Sequence, residues 1–425
     1  MGRFLISVPR GFAGFLARQT RDLRSAGRRA LAYKLRRLVH YGVMIAMLPF
    51  TLPALLVIRL AKPWKLVRFS HLNSDRIGHF ALNTEFYLCE RDAGMHPSNA
   101  LDIFYNVKPV ANQQLKLMWD RVLNVRPWAR HIYHLNSLLP GGQPHIVPIR
   151  TIEDPHGLLE RFPCHLSFTP EEDQRGKDGL RAMGLDAATP FVCLHVRDSA
   201  YLDRIRPQAK GFWNYHDHRD ADIKKCVPAA LELARRGLVI LRMGSVVQEP
   251  FETGHPRILD YATHFRSDFM DMYLPAHCRF YLGTTAGIGV VPGVFRLPIV
   301  RFNLIPLELA VLTNPRDLII PKKLWRRKEK RFMTFRELRT TGAGAFCRGE
   351  QYAPFDIEFV ENTPEEILDV AVEMDERLNG TWNTAEEDEA LKMRFKSIYG
   401  PGHHYHTRPP SIGAKFLRQN TYLLD

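Results

Sequence analysis

The sequence predicts an α/β chain of two successive doubly wound units behind a basic, apolar N-terminal segment. Three observations predict it. Short apolar runs alternate with helical stretches over residues 66–302, the rhythm of βαβ units on a parallel sheet. Polar, glycine-bearing loops follow several of those runs, where open α/β sheets bind ligands. Almost all the net charge lies ahead of them: residues 1–65 hold thirteen Arg and Lys against the single Asp22, within a formal charge of +14. The body is therefore nearly neutral. A nucleic-acid enzyme would spread basic character over its working face, so that class of partner is excluded.

Tyr41–Ile58 is 18 residues without a formal charge, just long enough to span a bilayer. It begins too late, and lacks the small-residue site, for a cleaved signal peptide. Pro49 and Pro53 each remove a backbone donor and favour a break. Arg36 and Arg37 flank it on one side and Arg59, Lys62 and Lys65 on the other. A re-entrant or interfacial segment keeps both flanks cytoplasmic, as the positive-inside tendency prefers; a single span does not. Residues 3–37 alternate Phe, Leu and Ala with Arg, as a helix on anionic lipid would. Residues 1–64 are thus expected to hold the protein to an anionic membrane surface.

The first Rossmann-like domain is expected over 65–168. Its strands are Leu66–Ser70, Leu101–Tyr105 and His145–Ile149, and its helices Phe80–Arg91 and Asn112–Leu123. The second is expected over 169–385. It opens on an acidic helix after Thr169 and continues with strand Phe191–His195, helix Asp220–Arg236 and strand Leu238–Arg242. Helix Asp268–Ala276, strand Phe280–Gly283, helix Ala286–Phe295 and strand Ile299–Phe302 come next. Thr363 with Glu365 and Glu366 starts a capped helix. The tail, 386–425, ends in an amphipathic stretch, Ile412–Leu424, expected to pack back onto the first domain. Six scattered cysteines without a CxxC pair argue against a disulfide framework or a zinc site and fit a reducing compartment.

Three polar clusters fall at strand ends. In HLNSDRIGH, Gly78 lets backbone approach a ligand, and Arg76 or His79 can hold an anion or a hydroxyl; the plain alternative is an ordinary βα loop. In HVRD, His195 and Arg197 are two apart and share a face of the strand, and an arginine there can grip a diphosphate through two bonds; the plain alternative is a structural ion pair. In LGTTAGIG, Thr284, Thr285, Ala286 and Gly287 lie between a strand and a helix, an anion site if the helix N–H groups are free. Arg242 and Gly244 close another strand, with Arg242 a second phosphate ligand. The run Lys322–Arg331 reads as a solvated face, or near a membrane as a contact for lipid phosphate; Asp217, Asp220 and Asp222 read as helix caps; His403, His404 and His406 have the look of a metal tract but, in a Pro/Gly-rich loop, read as surface. No nicotinamide, ATP, zinc-hydrolase or nucleophile-elbow motif is present, and no metal or cofactor is expected.

NSDRIGHFALNTEFYL, HVRDSAYL, YHDHRDADI, RMG, the stretch from Asp268 to Asn303 and FVENTPEEI together resemble a bacterial family of glycosyltransferases encoded in surface-polysaccharide loci. The resemblance covers about residues 66–425. It implies a glycosyltransferase B-like fold, two Rossmann-type domains facing a cleft, and metal-independent transfer. HVRD is also similar to the HxR motif of distant fucosyltransferases of that fold class, whose arginine binds the nucleotide-sugar diphosphate; that role maps to Arg197. The expected donor residues are then His195, Arg197, Asp198, Tyr201, Arg242, Gly244, Thr284, Thr285, Ala286 and Gly287. A lipid-linked glycan acceptor would enter near Asn73, Arg76 and Gly78, with Asp75, His79 or Glu85 as base, at the cytoplasmic face of the inner membrane. The alternatives are a pyruvyl- or phospho-sugar transferase on a similar fold and a non-catalytic, membrane-tethered carbohydrate-binding protein.

Overall fold

A computed structural model describes residues 35, 39, 42–149, 154, 156–205, 214–399 and 411–425. In chain order the elements begin with α1 (Gly42–Leu60), β1 (Leu66–Leu72), α2 (Ile77–Asp92), β2 (Ala100–Asn106), α3 (Gln113–Val122), α4 (Ala129–Leu138) and α5 (Leu158–Arg161). Next come α6 (Pro170–Ala182), β3 (Phe191–His195), α7 (Ala200–Ile205), α8 (Val227–Arg235), β4 (Val239–Arg242), β5 (Ile258–Leu259), α9 (Tyr261–His264) and α10 (Met270–His277). The series continues through β6 (Phe280–Gly283), α11 (Val291–Val294), β7 (Ile299–Leu304), β8 (Leu318–Pro321), β9 (Lys323–Arg326), β10 (Arg331–Phe332) and α12 (Phe335–Thr340). It ends with β11 (Ile357–Val360), α13 (Pro364–Asn379), α14 (Glu386–Ile398) and α15 (Ala414–Gln419). The chain forms two compact units. One takes in the described residues up to Ser70, Asn99–Ile103 and Arg126–Val147; the other comprises His71–Ser98, Phe104–Val125 and Pro148–Asp425.

In the first unit, α1 is a continuous helix of 19 residues with mean hydropathy 2.1. The break expected at Pro49 and Pro53 is not there. Each proline lacks an N–H, so the carbonyls of Ile45 and Pro49 lose their helical donors while the helix runs on. Arg68 grips Asp102 through two bonds of 2.7 and 2.6 Å. The strand expected at His145–Ile149 shrinks to a single parallel bridge from Ile146 to Phe69. Prolines account for this: Pro144 sits inside a 3₁₀ turn, Gln143–His145, and Pro148 cannot donate to a ladder.

The second unit is organised by a six-stranded, wholly parallel sheet in the order β5-β4-β3-β6-β7-β8. Counted from β3, this is the doubly wound order 3-2-1-4-5-6. The four longest central runs, FVCLH, VILR, FYLG and IVRFNL, are apolar in near-continuous stretches because helices cover both faces. Alternation sorts their side chains. Val192, Leu194, Ile240, Leu282 and Val300 pack with α8 and α13, while Phe191, Cys193, Leu241, Tyr281 and Ile299 pack with α6 and α10. Capping boxes start α6, α12 and α13 at Thr169, Thr334 and Thr363, each worth about 1 kcal/mol.

Four expectations shift. The helix read at Asp220–Arg236 is a 3₁₀ turn, Ile223–Cys226, followed by α8; Pro228 starts the α-helix late. The helix read at Ala286–Phe295 is a 3₁₀ turn, Ile288–Val290, and the single turn α11, because Gly287, Gly289, Pro292 and Gly293 crowd it. The basic run is not a solvated face throughout: β9 lies in a small antiparallel sheet with β10 and β11. There Lys323 is buried against Glu366 at 2.7 Å. The tail packs on the second-series core, not on the first: Ile412 bridges Ile319, and Phe416, Leu417, Leu423 and Leu424 join the β8–α13 cluster. Residues 3–34 and the histidines at 403, 404 and 406 lie outside the described residues.

Candidate functional site

The switch point of this sheet lies between β3 and β6, from which the strand order runs outward in opposite directions. A crevice opens beyond the carboxyl ends at such a point. Two of the predicted clusters meet there. Thr284 N–H donates to the His195 carbonyl at 3.1 Å, and the Thr284 hydroxyl accepts from the Arg197 N–H at 2.9 Å. Thr284 is 1% exposed, so it holds the HVR backbone rather than offering itself to a ligand. A Cβ on Gly283 would lie 2.5 Å from the His195 carbonyl oxygen, which is why glycine ends β6.

The third cluster arrives through α2. A Cβ on Gly78 would stand 2.9 Å from the Gly287 Cα and 3.1 Å from its carbonyl oxygen. Two bare backbones therefore abut, and the start of α2 sits against the GTTAG turn. Helix α2 is 16 residues long, with no side-chain cap bond and no acid in its first turn, so its N–H groups keep a partial positive charge. The one-turn α11 cannot supply that field; the helix end at this site is α2. Gly78→Ala should push α2 off the turn, costing about 1–3 kcal/mol of stability. Urea unfolding checks this.

Arg197 is largely buried and pairs with Asp220 at 3.6 Å. Burial works against its charge and Asp220 supports it. Burial in turn raises the Asp220 carboxyl to about 6, with Arg197 pulling the other way. Lys322, 4% exposed, donates to the carbonyls of His218 and Asp220 at 3.0 and 2.8 Å. It pins the loop that carries Arg197's partner. His195 is held neutral, its pKa lowered to about 3 by burial and then by Arg242 and Arg197. Its Nδ1, like the Thr285 hydroxyl, is buried without a hydrogen-bond partner among the described residues. Such atoms cost about 1–3 kcal/mol each until something bonds them. At the start of α2, burial and then Arg76 push the His79 pKa below its ordinary value, which favours the neutral imidazole. Asp75 and Asn73 are half-buried and Arg76 is exposed.

Several predicted residues are occupied elsewhere. Arg242 is 1% exposed and spent on Asp260 at 3.3 Å and the Glu249 carbonyl at 3.1 Å; it ties down the loop after β4 and is no phosphate ligand. Asp198 caps α7 through the Ala200 N–H and accepts from the Gln248 N–H. Gly244 has φ of 154°, and a Cβ there would meet Val247, so its need for glycine is local. Tyr201 lies in α7, half-buried. Lys322 and Asp220 were missed as site residues. Lys322 comes directly after an apolar strand, at its carboxyl end, and that placement was the available signal.

Glu85 stands about 12 Å along α2 from its start, at 1.5 Å per residue. It is 0% exposed. Arg296 contacts its Oε1 at 2.5 Å and His165 approaches at 3.2 Å. This is no place for a base on a substrate. Glu85, Cys89 and His165 are near enough together to ligate a metal, but the Arg296 guanidinium already occupies the group, 3.6 Å from the Cys89 sulfur, so the trio is not offered as a metal centre. Burial opposes charge on His165, yet bonds to Cys89, Glu85 and Asp92 raise it to about 10. The folded pKa exceeds the ordinary 6.5, so this group's stabilisation is complete below about pH 6.5 and lost as pH rises through about 10. Unfolding midpoints between pH 7 and 10.5 should fall in the wild type and stay flatter in His165→Gln.

Fold and site together define a doubly wound α/β protein with a paired arginine and an uncapped helix end at its sheet's switch point. No family model matches the chain, and no curated protein does. Similar solved structures include a family 9 glycosyl transferase from Veillonella parvula, at 11% identity and TM-score 0.39, over 61% of this chain and 86% of that one. Another is the E. coli ADP-heptose lipopolysaccharide heptosyltransferase II, at 12% identity and TM-score 0.31, over 55% and 84%. Both overlays are too loose to bear on function.

Proposed function

We propose that the protein is a membrane-associated glycosyltransferase of the glycosyltransferase B type. It moves a sugar from a nucleotide-sugar donor to a lipid-linked glycan in surface-polysaccharide synthesis, at the cytoplasmic face of the inner membrane. The observation that carries the reading is Arg197 at the switch point, with the α2 N-terminus brought beside the same crevice by the Gly78–Gly287 contact. A donor diphosphate fits that combination: a guanidinium for two oxygens, the positive end of α2, and the Thr285 hydroxyl, buried without a partner among the described residues. As the bond to the departing sugar breaks, these groups stabilise the charge gathering on the diphosphate. Asp75 and His79 stand at the start of α2, where a base would take the proton from the acceptor hydroxyl. The reading needs no metal.

The test is a thermal-shift screen against GDP-, UDP-, CMP- and dTDP-sugars, since a ligand that binds only the folded state raises the midpoint. One nucleotide series is expected to stabilise the wild type and not Arg197→Ala. No shift with any donor, or shifts equal in both proteins, overturns the donor site. Product analysis with the active donor separates sugar transfer from phospho-sugar transfer or mere binding.

A further inference from the structure

We infer that the first unit carries a lipid-docking face wider than α1: its end, the turn after it and the end of α4 rest together on one leaflet of an anionic bilayer. The inference rests on the membrane association proposed above and adds the part of the folded body that meets lipid. Along α1, Met44, Met47, Thr51, Leu55 and Ile58 are shielded to varying degrees. They recur at three- and four-residue steps, one stripe of a helix. The remaining sides are apolar and bare: Ile45, Phe50, Val57 and Leu60 are 65–73% exposed. A soluble monomer rarely leaves so much contiguous apolar surface open.

The end of α1 is strapped to the unit. Arg59 donates to the Asn136 side-chain oxygen at 2.9 Å and to the Pro140 carbonyl at 2.8 Å. Leu138 lies between those two partners in the chain and is 72% exposed; Trp64, just past the strap, is 79% exposed. Exposed apolar groups at the end of α1, in the turn and at the end of α4 thus lie within a few residues, along the chain, of the groups joined by one arginine clamp. A helix standing across the bilayer would carry the undonated carbonyl of Pro49 towards mid-membrane, where a neighbouring group would have to bond it. Lying at the interface, the helix leaves that carbonyl within reach of water. Tryptophan prefers that depth, and Lys62 and Lys65 beside it favour anionic headgroups.

The experiment uses the full-length protein and sedimentation with phosphatidylglycerol-containing or pure phosphatidylcholine vesicles. Leu138→Glu and Trp64→Glu should each weaken partition to the anionic vesicles about tenfold or more, since each puts a charge where an apolar side chain would enter the lipid. Their melting temperatures should match the wild type, because both side chains are exposed in the fold. Wild-type partition in both variants overturns the inference and leaves lipid contact to the N-terminal segment alone. Loss of self-association in place of lipid binding overturns it too, making the face an interface between copies. The donor-induced shift should survive in Leu138→Glu, and Arg197→Ala should partition normally, so this inference and the transfer reading fail separately.

Discussion

Replacing Arg197 by alanine is expected to lower transfer about 100- to 1,000-fold, the usual cost of removing one charged or hydrogen-bonding group from a developing anion. The fold should survive. Asp220 would lose its partner, but burial already holds that carboxyl at about 6 with Arg197 opposing the rise. Without the arginine it climbs further and takes up a proton near neutral pH, so no unpaired charge is left inside. The thermal midpoint should therefore move little while activity collapses. Arg197→Lys should recover only part of the rate, since an ammonium keeps the charge but not the planar fork. Initial rates with the donor found by the screen, beside circular-dichroism melts of the same samples, check both halves. Near-wild-type turnover in Arg197→Ala would falsify the assignment of the donor diphosphate to this crevice.

The second sheet was legible in the sequence because its strands are buried on both faces. FVCLH, VILR, FYLG and IVRFNL stand out as apolar runs in any reading. Arg197, Thr285 and Gly78 were legible for a related reason: each comes after a strand at the end where ligands gather. Pairing was not legible. Nothing local in LRMG says that Arg242 meets Asp260, or that Gly78 lies against Gly287. Lys322 was hidden by its neighbours, since a run of lysines and arginines has the composition of a surface while its first members face inward. Helix α2 hid Glu85 in another way. Every residue from Phe80 to Glu90 is buried, so the helix shows no polar face, and a carboxylate in it cannot be sorted by period into site or core.

That buried carboxylate sets the largest stability effect. Arg296 binds Glu85 and donates to the carbonyls of Phe162 and Pro163 at 3.1 and 3.0 Å, so one side chain joins α2 to the loop after α5. Arg296→Ala should cost about 3 kcal/mol, the lower end for breaking a buried ion pair, because His165 still faces Glu85. The backbone allows a sharper comparison. Arg296 has φ of 62°, a left-handed conformation that costs a residue with a Cβ about 1–2 kcal/mol. Alanine keeps that strain and loses the ion pair; glycine loses the ion pair and the strain together. Arg296→Gly should therefore be more stable than Arg296→Ala by about 1 kcal/mol. Adding Glu85→Gln to either variant should restore part of the loss, since a neutral amide no longer needs the cation. Urea midpoints of the four proteins test the order. Equal stabilities for the alanine and glycine variants would remove the strain from this account, and no rescue by Glu85→Gln would remove the ion pair.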